Sequence, residues 1–415
     1  MKKNAFAVAA AGTLAFAVQC ALAQDKPKPP PAWHQGKPPA MADSKLAPLP
    51  GRMTETPASE IPVDKIKLPK GFTVEIWASG LPGGRAMALS DSGKKVWVGT
   101  RALGRVYEIT DDGGKRSVRV LAEKLTQPAG VAFKNGSLYV FAIDKVLRYD
   151  GIEGKPNAQP TDLTKAFNLP PEQHHNWKYV RFGPDGKLYV PFGAPCNICE
   201  PPTKEYAQIR RYNADGSGME VIATGVRNTV GFDFHPKTGQ LWFTDHGRDW
   251  MGDKTPDDEL NRIDKPGNFY GFPYCHAQGV VDPDVAKGRK DACKGVTKPV
   301  LNMGAHAAVM GLEFYTGSMF PKEYQGTMFI ARKGSWNRTD KIGFDVVNVR
   351  PSADGKSAKM TPFMTGFLED PKTPKFWGRP AYIAQMKDGS LLVSDEQLGA
   401  IYRISYSAPA GGKKK

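Results

Sequence analysis

Six polar side chains that can bind anions or carry protons recur at equivalent places along the chain. Each stands about eight to twelve residues upstream of a Gly-containing turn, and the six are Arg85, Gln127, His175, Arg227, His306 and Arg379. Guanidinium groups pair with carboxylates in a two-pronged geometry, and imidazole titrates near neutral pH. A pocket formed by these groups would therefore suit an anionic ligand.

A short hydrophobic strand pattern follows each turn. Examples are GSLYVFA from Gly136, GQLWFTD from Gly239 and GSLLVSD from Gly389. Repeats of about 40 to 60 residues built from strands and Gly, Asp or Asn turns are typical of β-propellers. The six repeats predict an all-β, six-bladed β-propeller, in which the six leading side chains converge on one pocket near the axis.

The N-terminal residues 1–23 have the pattern of a secretory signal peptide. A basic start, an apolar run from Ala5 to Val18 and the small-residue end at Ala23 indicate cleavage after that residue. The apolar run is shorter than the roughly 20 residues of a membrane anchor. Cys20 as a lipoprotein acceptor is disfavoured by the bulky Gln19 before it. We expect a soluble periplasmic protein.

The rest of the chain divides by composition. Residues 24–65 are Pro-rich and include PKPPPAW, which predicts an extended, poorly ordered leader outside the core. Residues 66–407 form the propeller domain, and 408–415 form a basic tail. The formal net charge is +15. No basic run interleaved with aromatic residues accompanies it, which argues against nucleic-acid binding. Acidic partners such as an electron acceptor remain possible.

Four cysteines remain after removal of the signal peptide. An even number in an oxidising compartment predicts disulfides, here Cys196–Cys199 and Cys275–Cys293. The alternative is a four-thiolate zinc site, since Cys196 and Cys199 have ligand spacing. A catalytic dithiol is a third possibility, although no thioredoxin-like βαβ pattern surrounds it.

An oxygen-rich stretch follows the fourth repeat. Asp245 to Arg248 leave its second strand, and Asp257, Asp258 and Glu259 lie in the insertion beyond. Carboxylates and backbone carbonyls are the ligands that calcium prefers. The simpler interpretation is a solvated acidic loop.

Several short motifs follow one another along the chain. They are His175-Asn176 with RFGPDGKLYV, Gly225-Val226-Arg227-Asn228, His246-Gly247, Asp257-Asp258-Glu259-Leu260-Asn261, Asn268-Phe269-Tyr270-Gly271-Phe272-Pro273, HAAVMGLEFYTG from His306, Lys333-Gly334-Ser335-Trp336-Asn337-Arg338 and Trp377-Gly378-Arg379-Pro380. Their order and spacing resemble the soluble pyrroloquinoline quinone (PQQ)-dependent glucose/sorbosone dehydrogenases over about residues 68–406. The sorbosone dehydrogenase-like branch is the most similar.

The resemblance implies roles for individual residues. His175 stands where the family has its catalytic base, and its neighbour His174 is interpreted as an ordinary loop histidine. Arg227 matches a residue that stabilises charge on the quinone, and Asn228 matches a cofactor contact on the same side. Lys333 and Arg379 match cationic contacts to the PQQ carboxylates.

The same resemblance implies two calcium sites. The backbone carbonyls of Gly247 and Arg248 match ligands of a calcium that polarises the cofactor. Glu259 and the carbonyl of Tyr270 match a structural calcium site.

Two positions depart from the family pattern. Members with glucose activity have Gln where this chain has Val230, and an Asp that orients the histidine where this chain has Ala194. Substrate identity and the tuning of His175 therefore stay open.

These features predict a PQQ- and calcium-dependent oxidoreductase acting on a sugar or sugar aldehyde and passing electrons to a quinone or cytochrome. One alternative is a calcium-dependent lactonase, which needs carboxylate and amide ligands at the axis. Asn228 is available, but no axial Glu lies near the repeat starts. The other alternative is a non-catalytic ligand-binding propeller, since a fold alone does not fix function.

Overall fold

Six antiparallel sheets of four strands make up the molecule, and one of them has a short added strand. The structure, a computed structural model, describes residues 32–408. Strands within a sheet follow one another as consecutive hairpins, and the innermost strands of neighbouring sheets contact each other around a closed ring. The predicted all-β, six-bladed β-propeller is confirmed.

The blades are numbered here along the chain, and their strands are given from the axis outward. Blade 1 has Gly84–Leu89, Lys95–Thr100, Val106–Asp112 and Lys115–Ala122; blade 2 has Gly130–Lys134, Ser137–Phe141, Val146–Asp150 and Thr161–Asp162; blade 3 has Arg181–Phe182, Leu188–Phe192, Gln208–Tyr212, Glu220–Thr224 and the added Asn268–Phe269. Blade 4 has Thr229–Phe234, Leu241–Asp245, Asp257–Arg262 and Leu301–Ala305; blade 5 has Val309–Phe314, Met328–Arg332, Asp345–Pro351 and Ala358–Met364; blade 6 has Pro380–Gln385, Leu391–Asp395, Ala400–Tyr406 and Phe72–Ala78.

Minor elements decorate the connections between strands. Two short ladders pair Cys275–His276 with Val280–Val281 and Leu368–Asp370 with Lys375–Phe376; one α-helix spans Thr164–Phe167; and 3₁₀ turns span Ala32–His34, Pro39–Met41, Ala58–Glu60, Val63–Lys65 and Lys322–Tyr324. Within residues 32–408 no helix combines the length and apolarity needed to cross a membrane.

The two ends of the domain close the ring. The strand Phe72–Ala78 pairs antiparallel with Ala400–Tyr406, so blade 6 combines one N-terminal strand with three C-terminal strands. Closure removes the free edges between first and last blades and fixes the axial ends of all six innermost strands.

The recurring glycines mark the turns between the first two strands of each blade. All six have φ between +68° and +87°, where a side chain would be strained: Gly93, Gly136, Gly186, Gly239, Gly326 and Gly389. The residues that lead the repeats enter the innermost strands at the opposite end of the ring.

Both predicted disulfides are confirmed. Cys196 pairs with Cys199 and Cys275 pairs with Cys293. The four-thiolate zinc alternative is therefore wrong, because all four sulfurs are held in bonds to each other and none is a free thiolate.

The leader differs from its prediction of disorder over residues 32–65. This part forms four 3₁₀ turns, buries Ile61 in the main hydrophobic core and pairs Lys67 with Thr365 at its end. Its polar and aromatic side chains find partners on the propeller, which the Pro-rich composition did not reveal. The signal peptide (1–23), residues 24–31 and the tail from residue 409 lie outside the described residues.

Close contact between innermost strands yields a first prediction. A Cβ added to Gly231 in blade 4 would overlap the backbone of Met310 in blade 5, and its φ lies outside the left-handed region. Gly231→Ala should lower the free energy of unfolding by about 1–3 kcal/mol, as overpacking does. Gly154→Ala, in open space, is the matched control. Equal denaturation midpoints for the two variants would contradict the tight packing of the ring.

Candidate active site

The residues that lead the six repeats enter the ring at one axial end. Arg85 is the second residue of an innermost strand, and the other five precede theirs by at most six residues, His175 being the farthest. Gln127 is half-buried, and the other five are buried: Arg85, His175, Arg227, His306 and Arg379. The topology thus gathers charged and titratable groups where they lose contact with water and need charged or hydrogen-bonding partners.

A buried carboxylate joins Arg85 to a further cation, Lys333. Glu396 accepts hydrogen bonds from Nε and Nη2 of Arg85 at 2.8 and 3.1 Å, and it contacts the Lys333 ammonium. Burial, and next the guanidinium of Arg85, lower the pKa of Lys333. The Glu396 carboxylate opposes that effect and favours the charged ammonium.

Arg379 is held by backbone carbonyls. Its Nε donates to the Lys333 carbonyl and its Nη2 to the Gly334 carbonyl, both at 3.3 Å, while Nη1 donates to the Leu49 carbonyl at 3.1 Å. Burial, and next the charge of the nearby Arg85, lower the pKa of Arg379 to about 9. A guanidinium with only neutral acceptors is still short of a counter-charge.

Equivalent aspartates fix the backbone of two of the three axial arginines, Arg227 and Arg379. Asp245 ends the second strand of blade 4 and accepts from the amide of Arg227 at 2.8 Å; Asp395 ends that of blade 6 and accepts from the amide of Arg379 at 3.0 Å. Burial raises the pKa of Asp245 to about 6. The amides of Arg227 and Asn228 and the Thr229 hydroxyl favour its ionised form.

Arg227 is enclosed by a loop of blade 3 and a loop of blade 4. Its Nε donates to the Asn197 carbonyl at 2.9 Å and its Nη2 to Asn197 Oδ1 at 2.7 Å. Its Nη1 donates to the Gly247 carbonyl at 2.9 Å, and Asp249 lies 3.5 Å from Nη2. The side chain is therefore positioned chiefly by carbonyl oxygens.

Asn228 is oriented by His246. Nε2 of His246 lies 2.5 Å from the Val309 carbonyl and must donate, so Nδ1 accepts from Asn228 Nδ2 at 2.9 Å. Burial lowers the pKa of His246 to about 3, which keeps the ring neutral. Asn228 Oδ1 is then left buried without a partner.

His175 is buried, neutral and held by Ala194 through the main chain. Its Nδ1 lies 3.2 Å from the Ala194 carbonyl and donates to it, which leaves Nε2 as an acceptor. Burial lowers the pKa of His175 well below its usual value, and the charge of Arg227 lowers it further. The backbone adopts φ of +51°, a conformation that a non-glycine residue rarely takes. The neutral ring can therefore accept a proton at Nε2, as a general base must.

His174 also lies at this site. Its ring centroid is 4.0 Å from that of His175, and its Nε2 is buried without a partner. Burial lowers its pKa to about 4. Its interpretation as an ordinary loop histidine therefore needs a direct test.

The two departures from the family pattern are explained by packing. The Ala194 side chain lies in an apolar cluster with Cys196, Ile198 and Phe272, so an Asp there would place a carboxylate among apolar groups. Val230 is part of the main hydrophobic core.

Unsatisfied polar atoms indicate what the site lacks. Arg85 Nη1 and Asn228 Oδ1 are buried and have no hydrogen-bond partner among residues 32–408. An unpaired guanidinium nitrogen needs an acceptor. Arg227 and Arg379 donate mostly to neutral carbonyls, and Lys333 shares the Glu396 carboxylate with Arg85. This donor set fits a polyanionic ligand with carbonyl groups, as PQQ is.

The residues at the first expected calcium position already have partners within the chain. The carbonyl of Gly247 accepts from Arg227, and the Arg248 guanidinium pairs with Asp282 at 2.9 Å and Asp284 at 2.6 Å. Within the described residues no three His, Cys, Asp or Glu side chains form a metal-binding group. A cation here would therefore depend largely on carbonyl and amide oxygens.

The second expected calcium position has a more suitable environment. Glu259 accepts from the Ala277 amide at 2.7 Å and from Asn261 Nδ2 at 2.8 Å, and Asn261 Oδ1 is buried without a partner. Burial, and next the charge of Asp245, raise the pKa of Glu259 to about 8. Tyr270 is buried, with its amide bonded to the Thr224 carbonyl. A cation would relieve both the raised pKa and the unpaired oxygen.

Sequence reasoning missed three groups of this site. Glu396, Asn197 and the orienting role of His246 were not identified. One signal was available, because Asp395-Glu396 follows the second strand of blade 6 as Asp245-His246 follows that of blade 4. His306, a leading residue, instead bonds the Gly252 carbonyl through Nε2 at 2.9 Å.

The sequence model of the TrAA12-like family matches residues 66–407. The chain belongs to the TrAA12-like family. An uncharacterised protein from Borreliella burgdorferi is 32% identical to it over 362 residues, which cover 85% of this chain and 93% of that protein. The family resemblance inferred from the motifs is confirmed.

Solved structures share the fold of this TrAA12-like chain at low identity. The calcium structure of the Trichoderma reesei carbohydrate-active enzyme of family AA12 is 20% identical, with a TM-score of 0.70, and covers 82% of this chain and 97% of that one. The holo form of the PQQ domain of pyranose dehydrogenase from Coprinopsis cinerea is 19% identical, with a TM-score of 0.67, and covers 86% and 98%.

The contact between Gly193 and His175 yields a second prediction. A Cβ at Gly193 would lie 2.7 Å from the His175 Cβ and overlap its carbonyl oxygen. In wild type, ¹⁵N NMR should show His175 neutral with the proton on Nδ1 at about pH 6, because burial disfavours the imidazolium. Gly193→Ala should shift the ring and change its tautomer signals, whereas Gly154→Ala should not. A protonated His175 at that pH in wild type would contradict this assignment.

Proposed function

We propose that this chain is a PQQ-dependent oxidoreductase that oxidises a sugar or a sugar aldehyde of the aldose or sorbosone type. The supporting observation is a buried set of cations, in which Arg85 keeps an unpaired nitrogen, next to the neutral base His175. Carboxylates of PQQ would supply the missing counter-charge, since buried cations need paired anions. The fold likeness to a holo PQQ domain of a pyranose dehydrogenase supports the proposal.

Five residues would hold the cofactor. Lys333 and Arg379 would pair with its carboxylates, and Arg85 would use its free Nη1. Arg227 and Asn228 would face the quinone carbonyls. When bound, PQQ supplies a quinone that accepts hydride from the substrate carbon.

His175 and Arg227 would carry the catalytic roles. Nε2 of His175 has no hydrogen-bond partner in the described part of the chain and would accept the proton of the substrate hydroxyl. The hydrogen bond from Nδ1 to the Ala194 carbonyl stabilises the imidazolium that forms. Once turned toward the cofactor, Arg227 would offer a positive charge where negative charge develops.

Calcium is part of the proposal. The carbonyls of Gly247 and Arg248 would bind one ion, provided that Arg227 turns from the Gly247 carbonyl to the cofactor. Glu259 and the carbonyl of Tyr270 would bind a second ion with the unpaired Asn261 Oδ1. The calcium structure of the related Trichoderma reesei enzyme supports this.

The signal-peptide pattern bears on the location of the protein, and its net charge bears on its electron acceptor. We infer a periplasmic protein exported by the signal peptide 1–23. The electrons would pass to a quinone or to a cytochrome, and the net charge of +15 favours an acidic partner.

Cofactor binding can be tested by titration. Lys333→Ala and Arg379→Ala should each weaken PQQ binding about 10- to 100-fold, because each removes a charge-assisted hydrogen bond of about 1.5–3 kcal/mol. Absorbance of PQQ added to the protein in excess calcium measures the affinity. Repeating the wild-type titration after chelation tests the metal requirement.

Lys387→Ala is the matched control. It removes an exposed lysine from the same blade as Arg379, near the turn at the opposite end of the ring. Its PQQ affinity should equal that of wild type. Unchanged affinity in both site variants would refute the cofactor assignment, and full binding without calcium would refute the metal.

Replacement of the base gives the next prediction. His175→Ala should lower turnover of an aldose by about 10²–10⁴-fold, the usual contribution of a positioned general base. PQQ affinity should stay close to that of wild type. Because the pKa of His175 is lowered, the wild-type rate should not fall until pH is well below 6.5.

His174→Ala tests the assignment within the pair, and its effect on turnover should be much smaller. His235→Ala, an outlying histidine bonded to Lys237 and Thr238, is the neutral control. A larger loss in the His174 variant than in the His175 variant would move the base by one position. Full turnover in both would leave the base elsewhere.

A further inference from the structure

Residues 33–56, called the strap here, lie over the axial end that holds the candidate active site. The segment forms no β-strand; it begins within the 3₁₀ turn Ala32–His34 and contains the 3₁₀ turn Pro39–Met41. It contacts loops of blades 3, 4 and 5 at its start and blade 6 near its end. The region matched by the family begins at residue 66, so the strap is an addition N-terminal to it.

The first half of the strap attaches to the loops around Arg227. The Trp33 ring stacks on Trp250 with centroids 6.3 Å apart, and its carbonyl accepts from Trp250 Nε1 at 2.6 Å. Gln35 accepts from the Asn197 amide at 2.8 Å through Oε1 and from Asn197 Nδ2 at 2.7 Å through its carbonyl. Asn197 is the residue that holds Arg227.

The second half reaches the cations on the other side. The Leu49 carbonyl accepts from Arg379 Nη1 at 3.1 Å. Gly51 lies beside Glu396, so that a Cβ there would be 3.8 Å from Oε1. The strap thus spans the two arginines that the proposed function assigns to the cofactor.

The strap is fixed at its C-terminal end, attached through Trp33 and Gln35 at its start, and weakly attached between them and Leu49. Beyond Thr56, which is buried, Ile61 enters the core and Lys67 pairs with Thr365. Between Lys37 and Leu49 the residues are half-buried or exposed. The Lys37 ammonium donates to two carbonyls of the strap and lies 5.2 Å from the centroid of the Trp250 ring. Such a segment can lift from Trp33 onward while its base stays in place.

We propose that the strap is a gate that must open before an anionic cofactor can reach Arg379. This inference rests on the proposed function, because it takes PQQ as the entering anion. In the closed state the Leu49 carbonyl accepts a hydrogen bond from Arg379. Glu396 pairs with Arg85 and Lys333. A carboxylate is the stronger acceptor for a guanidinium, so cofactor binding favours the displaced strap.

The gate predicts faster loading when its first half is loosened. Trp33→Ala/Gln35→Ala, and more mildly Gln35→Ala alone, should raise the PQQ association rate at least about tenfold, because less of the population is closed. Stopped-flow absorbance of PQQ with the full chain measures this rate. Lys45→Ala, which removes an exposed side chain of the strap, is the matched control and should load at the wild-type rate.

A second measurement needs no cofactor. Phenylglyoxal modifies accessible arginines, and peptide mass spectrometry gives the rate at Arg379. Modification should be slow in wild type and in Lys45→Ala, and at least about tenfold faster in Trp33→Ala/Gln35→Ala.

The outcomes separate the two proposals. Equal protection of Arg379 in all variants, or PQQ association that is unchanged or slower in the loosened strap, would overturn the gate. Faster modification together with no PQQ binding by any variant would refute the cofactor while supporting the gate. Faster modification and faster loading would support both.

Discussion

Burial of several like charges at one end of the propeller axis is the constraint on which the site depends. Arg85, Lys333 and Arg379 are all nearly inaccessible, and burial lowers the pKa of each. One carboxylate, Glu396, and a set of backbone carbonyls offset part of that cost. The remaining cost favours a ligand that brings negative charge to these cations.

The closed ring supplies the rigidity that this arrangement requires. Asp245 and Asp395 end the second strands of two different blades and accept from the backbone amides of Arg227 and Arg379. Repetition of one blade geometry thus produces two arginines in related positions. The strand Phe72–Ala78 closes blade 6 and keeps the ring from opening at its seam.

Some polar groups of the site are held in one orientation, and others are buried without a hydrogen-bond partner among the described residues. His246 fixes the amide of Asn228, and the Ala194 carbonyl fixes the tautomer of His175. Burial keeps both imidazoles neutral. Unpaired buried atoms cost free energy in the isolated chain, and a ligand that pairs them recovers it on binding.

The sequence alone determined the features that arise from local pattern. Six repeats of a turn glycine and a short apolar strand predicted the blade count, and the even number of cysteines favoured the two disulfides over a zinc site or a dithiol. The motifs placed His175, Arg227, Lys333 and Arg379 at one site because each leads a strand or follows one. Only the tertiary structure revealed Glu396, which meets Arg85 across 311 residues of chain, and the strap, whose Pro-rich composition hides specific contacts. It also showed that the Ala194 main chain orients His175, since a backbone carbonyl is the same in every residue and only its position in space decides what it binds.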